Sequence, residues 1–271
     1  VILPKEEIRL LCEIEQLIGE EIPLLDDLNN VFLGYSVQNS RVSKLKVYGS
    51  VIAYIPENIG DLSALTELNI SDCGITTLPN SLFTLKSLKK LTLYGNTIAL
   101  LSQNIEKLQD LEELNIGRNT MSFIPDQIGK LRHLKKLQIG ENQIEQLPKT
   151  LGNLENLEVF SCVFNLLTEI PKEICDNCHH LIELAIYDNY IEKLPENIGN
   201  LQNLQKLKIS SNNIKRFPRS IVNLRNLTYL NFYATHIVEL SEEEERWIEF
   251  LKNQGCTVHP TSLEENRNIR I

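Results

Sequence analysis

No run of Lys and Arg stands anywhere in this chain of 271 residues, and the charge balance is acidic, with 27 basic against 36 acidic side chains and a net charge of −9. Phosphate backbones and anionic membrane surfaces are held by clustered cations, so nucleic acid and such membranes are excluded as partners. Long apolar runs are missing too. None approaches the roughly 18–20 residues that span a bilayer, and the start, Val1 to Leu11, is broken by Pro4, Lys5, Glu6, Glu7 and Arg9, with no signal-peptide apolar core. The six cysteines (Cys12, Cys73, Cys162, Cys175, Cys178 and Cys256) are not gathered into the disulfide caps of secreted repeat proteins, so a cytoplasmic chain is expected. Asn69 and Asn226 open glycosylation-type triplets and are read as exposed repeat residues. Catalytic patterns are absent: there is no phosphate-binding G-x-x-x-x-G-K-[ST], no H-E-x-x-H and no G-x-S-x-G. Of the five histidines only His179 and His180 adjoin. Without a nucleophile and its base the chain is expected not to be an enzyme, and no cofactor is expected.

What is present is a repeat. The pattern L-x-x-L-x-L-x-x-N-x-I-x-x-L-P-x-x-I-G-x-L-x-x begins at Val42, Leu65, Leu88, Leu111, Leu134, Leu157, Leu181, Leu204 and Leu227. Successive starts are 23 apart, except for one extra residue between Leu157 and Leu181. A fixed period in this range announces a leucine-rich repeat solenoid. The expected fold is an α/β solenoid, a right-handed leucine-rich repeat horseshoe with a parallel sheet on its concave side. Within each repeat, positions 1, 4 and 6 point inward from a short strand. Position 9, filled by Asn96, Asn119, Asn142, Asn165, Asn189 and Asn212, is expected to satisfy buried backbone groups of the neighbouring turn. Ser50, Cys73 and Thr235 replace it elsewhere. The Leu-Pro pairs turn the chain onto the convex side, and repeat three, with Leu101-Ser102, is expected to turn there with less constraint.

An end of such a stack must be covered. Residues 4–18 read as a helix started at Pro4 and stopped at Gly19, with Ile8, Leu11, Ile14, Leu17 and Ile18 as its buried face. Two alternating runs around Asn39-Ser40 read as a hairpin, which adds an antiparallel strand to the first repeat. At the other end Ser241 and Glu244 form a capping box, Trp247, Ile248 and Leu251 an apolar stripe, and Cys256 to His259 a last strand. The tail from Pro260 to Ile271 reads as polar and loose. The organisation is thus an N-terminal cap over 1–41, nine repeats over 42–240, and a C-terminal cap over 241–271.

The unit Leu194-Pro-Glu-Asn-Ile-Gly-Asn-Leu201 resembles the intracellular leucine-rich repeats of the Ras-suppressor and plant Ras-group type, which are also common in prokaryotes. The resemblance covers residues 42–240 and the caps poorly. The leader Gln16-Leu-Ile-Gly-Glu-Glu-Ile-Pro23 is similar to leaders of Asgard archaeal repeat proteins. The resemblance implies protein binding on the concave face, in some members of a small GTPase or signalling protein, and no GTPase-contact motif carries over residue by residue.

Cys175-Asp-Asn-Cys178-His179 spells the haem-attachment pattern and, with His180, suggests a zinc site. Four ligands within six residues cannot readily close a tetrahedron, and Ile174 and Cys178 fit the repeat's apolar positions. The cysteines are therefore read as small buried hydrophobes, with a metal or redox site as the weaker alternative. The solvent face of the sheet is more informative. Position 3 alternates in sign through Lys44, Glu67, Lys90, Glu113 and Lys136, a self-neutralised ladder. Beyond it Val159, Val163, Phe164, Ala185, Tyr187 and Tyr190 are expected to form an apolar, aromatic patch beside an open strip at Gly117 and Gly140. Such patches mark interfaces. The anchors of a protein partner are expected at Val159, Val163, Phe164, Tyr187 and Tyr233, with Tyr94 and Tyr229 flanking. The chain is expected to act as a monomeric scaffold or signalling regulator, with self-assembly as the alternative.

Overall fold

Apolar side chains at positions 1, 4, 6, 11, 14, 18 and 21 of a repeat cannot all be covered by that repeat alone, so each turn buries them against its neighbours. In the computed structural model, which describes residues 2–260, nearly all of these side chains are buried, and Leu78 is half-buried. The chain divides into two compact units, Val1–Leu134 and Lys135–Ile271.

In the first unit helix α1 spans Lys5–Ile18, and Gly19 ends it in the left-handed conformation at φ 78°. Strands β1 (Leu33–Gln38) and β2 (Arg41–Tyr48) pair antiparallel, turning at Asn39 and Ser40, both with positive φ. Strands β3 (Glu67–Ser71), β4 (Lys90–Thr92) and β5 (Glu113–Asn115) then add in parallel, one per repeat. The buried face of α1 differs from the sequence expectation. It is made by Glu7, Leu10, Leu11 and Ile14, while Ile8 is exposed. Those four follow the i, i+3, i+4, i+7 pattern of one helix face. A glutamate occupies that face because it has partners there: its carboxylate accepts from Arg41 Nη1 at 2.9 Å and from the Val42 backbone N–H at 2.8 Å.

Opposite most repeat strands the chain makes a short 3-10 turn, and those at Glu57–Asp61, Asn80–Thr84 and Asp126–Lys130 are each entered through an extended proline. Repeat three keeps this turn, at Gln103–Lys107, despite lacking the proline. There the Ser102 hydroxyl accepts from the Asn104 N–H at 3.2 Å, so a side-chain cap replaces the fixed φ that proline would supply.

In the second unit strands β6 (Lys136–Gln138), β7 (Val159–Ser161), β8 (Glu183–Ala185), β9 (Lys206–Lys208), β10 (Tyr229–Asn231) and β11 (Thr257–His259) lie parallel in chain order. The extra residue of repeat six is absorbed on the far side from the sheet, where a short helix α2 (Lys172–Asn177) replaces the 3-10 turn. Gly152 is needed beside it, because a Cβ there would lie 2.5 Å from the Glu173 carbonyl oxygen. Helix α3 (Glu242–Asn253) closes the stack. Ser241 and Glu244 make a reciprocal capping box, and the Trp247 indole donates to the Leu224 carbonyl at 3.1 Å while its ring meets Phe217 edge-on. The tail expected from Pro260 falls largely on 261–271, outside the described residues.

Candidate functional site

The asparagines of position 9 build the frame. Asn96 Oδ1 accepts from the N–H groups of Cys73 and Ile75 in the preceding repeat, at 3.1 and 3.0 Å, and its Nδ2 donates to the carbonyls of Ile70 and Leu93. Asn119, Asn165, Asn189 and Asn212 each reach back in the same way, to Ile98, Ile144, Leu167 and Ile191. Asn142 donates to the Ile139 carbonyl at 3.2 Å. All six are buried, so each would be costly without these partners.

One residue before position 9 the backbone enters the left-handed region, with φ near 50° at Asp72, Arg118, Glu141, Phe164, Asp188, Ser211 and Ala234. Gly49 and Gly95 fill the same position. Phe164 is out of keeping there. A bulky side chain is disfavoured in this conformation, and Phe164 is not rewarded by burial, since half of its surface remains exposed. Its ring meets Tyr187 edge-on, with centroids 5.5 Å apart and planes at 82°. The backbone locks the pair, because Phe164 N–H donates to the Tyr187 carbonyl at 3.1 Å.

The structure extends this pair in a direction the sequence reading underweighted. Leu166 and Tyr190, both at position 10, are exposed beside it, on the loop that leaves the strand rather than on the strand itself. Leu166 carried no signal in sequence beyond being apolar in a row that also holds Val51, Gly74, Thr97, Thr120, Gln143, Tyr190, Asn213 and His236. Two expectations are corrected. Ala185 is buried and offers nothing to a partner. The open strip is closed at Gly140, which is itself buried, for a Cβ there would lie 2.8 Å from Val163 Cγ2. Tyr229 and Tyr233 do not join Phe164. Tyr229 stands against His259 of β11 and below the Lys208 ammonium, and Tyr233, more than half exposed, lies two repeats beyond Tyr187, roughly 10 Å away. Val159 and Val163 are half-buried, and Tyr94 belongs to the first unit.

Charges on the sheet are largely paired. Lys44 meets Glu67 and Lys90 meets Glu113, both at 2.8 Å, and the latter raises the Lys90 pKa. Arg118 reaches Asp72 two repeats away at 3.2 Å, and a side chain at the intervening Gly95 would collide with that carboxylate. Glu183 is pulled both ways. Burial raises its pKa, but Lys208 at 2.5 Å and Lys206 at 3.3 Å outweigh burial and hold it below the usual glutamate value.

Cys175 and Cys178 have no exposed surface. Burial first, with nearby negative groups second, pushes both thiols up to about 12, so they remain protonated at neutral pH. Among the described residues no helix is long and apolar enough to cross a membrane.

A leucine rich repeat family model matches residues 63–121, and a leucine-rich repeat region model matches 173–243. No curated protein matches. Among solved structures, a leucine-rich repeat protein of Leptospira interrogans is 30% identical over 80% of this chain and 54% of its own, with a TM-score of 0.74. The leucine-rich repeat ectodomain of the plant membrane receptor kinase GASSHO1/SCHENGEN3 from Arabidopsis thaliana, in complex with CASPARIAN STRIP INTEGRITY FACTOR 2, is 26% identical over 81% of this chain and 31% of its own, with a TM-score of 0.62. The functional domain of InlJ from Listeria monocytogenes shares the fold, with a TM-score of 0.68 at 23% identity, over 83% of this chain and 48% of its own. The chain thus spans about half or less of the length of these relatives. It is a leucine-rich repeat protein, a solenoid with terminal caps.

Proposed function

We propose that this chain is a non-catalytic protein-recognition module whose partner docks on the second unit, around Phe164 and Tyr187. Leucine-rich repeat folds are in general protein-interaction modules. The observation that carries the reading is Phe164: a half-exposed aromatic held where neither backbone preference nor packing selects one. Val159 and Val163 form the floor on the strand side, Tyr233 and Tyr229 are outlying contacts on the same unit, and Tyr94 is a separate candidate contact on the first unit. Position 9 is the scaffold that holds the platform between caps 1–41 and 241–271. A reducing, cytoplasmic setting is supported by all six cysteines being free. A small GTPase or signalling protein as partner rests on the resemblance alone.

The test is a pull-down from native lysate with mass spectrometry, comparing the chain with a Phe164→Glu/Tyr187→Glu variant that keeps its circular dichroism and melting profile. Proteins lost only by the variant support the reading, and identical lists overturn it.

A second reading, self-assembly, is favoured by a row at position 13 of the first unit. Tyr54, Leu100 and Phe123 are all about half exposed or more there, with Thr77 between the first two, whereas the same position further along holds Gln146, Glu169, Lys193, Arg216 and Glu239. Light scattering decides it: a mass that stays monomeric across concentration removes this reading, and a dimer that Leu100→Glu dissolves establishes it.

A further inference from the structure

The loop edge that carries the aromatic patch also carries charge of one sign, and this says what the partner must bring. Positions 8 to 13 of repeats five, six and seven comprise residues 141–146, 164–169 and 188–193. They hold the carboxylates Glu141, Glu145, Glu169, Asp188 and Glu192 against Lys193 alone. The three loops are stitched side by side: Asn142 N–H donates to the Phe164 carbonyl, Asn165 N–H to that of Asp188, and Glu192 N–H to that of Thr168. Phe164, Leu166 and Tyr190 therefore sit inside a rim of acids. Glu145, Glu169, Asp188 and Glu192 make no ion pair among the described residues. The strand side does not neutralise them, because Lys206 and Lys208 are spent on Glu183. Lys149, Lys172 and Lys193 line a groove together with Glu169, Glu173 and Glu192, so the two signs balance there and the excess acid lies at Glu145 and Asp188.

Resting on the reading above, we infer that the occupant of this edge is a cationic, apolar polypeptide segment, in which Arg or Lys flanks an aliphatic or aromatic residue. The apolar side chain would cover Leu166 and the Phe164 edge. A guanidinium or ammonium beside it would lie over Tyr187 or Tyr190 while it faces the carboxylate rim, so one cation draws on a ring face and an opposite charge together. An acidic segment would meet like charges on three successive loops.

The experiment is selection of a random short-peptide display library on the full chain, with the enriched peptides then titrated against three proteins at low and high salt. These are the chain itself, Phe164→Ser, and Glu145→Lys/Glu192→Lys. Serine is chosen because Ser211 holds the same backbone conformation one repeat further on than Asp188, so the substitution keeps the fold. The lysine pair lies at exposed positions. The expected outcome is a pool rich in Arg and Lys next to apolar residues. Its affinity should fall at least about tenfold with either variant and fall with added salt. A pool that depends on Phe164 but lacks a cationic excess, or ignores the lysine pair, overturns this inference and leaves the proposed site standing. A pool indifferent to Phe164→Ser, or no enrichment over an unrelated protein, overturns both.

Discussion

The Glu7 carboxylate and the Val42 backbone N–H meet at 2.8 Å, which ties the N-terminal helix to the first residue of the first repeat. The second carboxylate oxygen holds Arg41 at 2.9 Å, and Glu7 itself has no exposed surface. The cap is therefore fastened by a buried charge whose partners come from the hairpin it covers.

Glu7→Ala should destabilise the first unit by about 3 kcal/mol, since it leaves a buried N–H unpaired and Arg41 without its counter-ion. Glu6→Ala, at an exposed position one residue away, should change stability by less than about 0.5 kcal/mol. Urea titration of the two variants checks this, and equal midpoints would show that the carboxylate does not fasten the cap.

Asn189→Ala should cost at least about 2 kcal/mol. The side chain satisfies the Leu167 N–H and the carbonyls of Cys162 and Ile186, all of them buried, and each such group left unpaired costs about 1–3 kcal/mol. Amide hydrogen exchange at Leu167 should rise with it. An unchanged exchange rate there would contradict the assigned bond.

Phe164→Asn should leave stability within about 1 kcal/mol of the parent, because relief of the left-handed backbone offsets loss of the ring contact with Tyr187. Phe160→Ala, four residues earlier and fully buried, should cost about 3–5 kcal/mol. Paired melts compare them. If Phe164 proved as costly as Phe160, it would be a packing residue and not an exposed anchor.

Alkaline pH should unfold the chain through its buried thiols. The folded pKa of Cys175 and of Cys178 is raised to about 12 from an ordinary 9.0. The unfolded state therefore loses these protons first as pH rises. Their contribution is complete below pH 9.0 and is lost progressively towards about 12. Melting temperature against pH should fall across that window, and less steeply in Cys175→Ala. A thiol reagent at neutral pH should label Cys12, which is exposed, and spare Cys175 and Cys178 until denaturant is added.

Much of this molecule follows from periodicity. A 23-residue pattern read off the chain places Leu65, Leu88 and their equivalents in the interior, because an apolar position repeated in register has nowhere else to go. The position-9 asparagines were legible for the same reason: buried loop backbone needs partners, and one residue type recurs where they lie. The hairpin at Asn39-Ser40 and the capping box at Ser241 were equally plain, since both are local chemistry. What tertiary structure decided lies where residues distant in sequence meet. Only the docked helix shows that Glu7 faces inward while Ile8 faces solvent. Only the side-by-side loops close Gly140 under Val163, withdraw Ala185, and bring Leu166 and Tyr190 beside Phe164 within a rim of carboxylates. A repeat pattern states which positions are equivalent. It does not state how the exceptions to it pack against one another, because that depends on side-chain volume and backbone approach across three repeats at once.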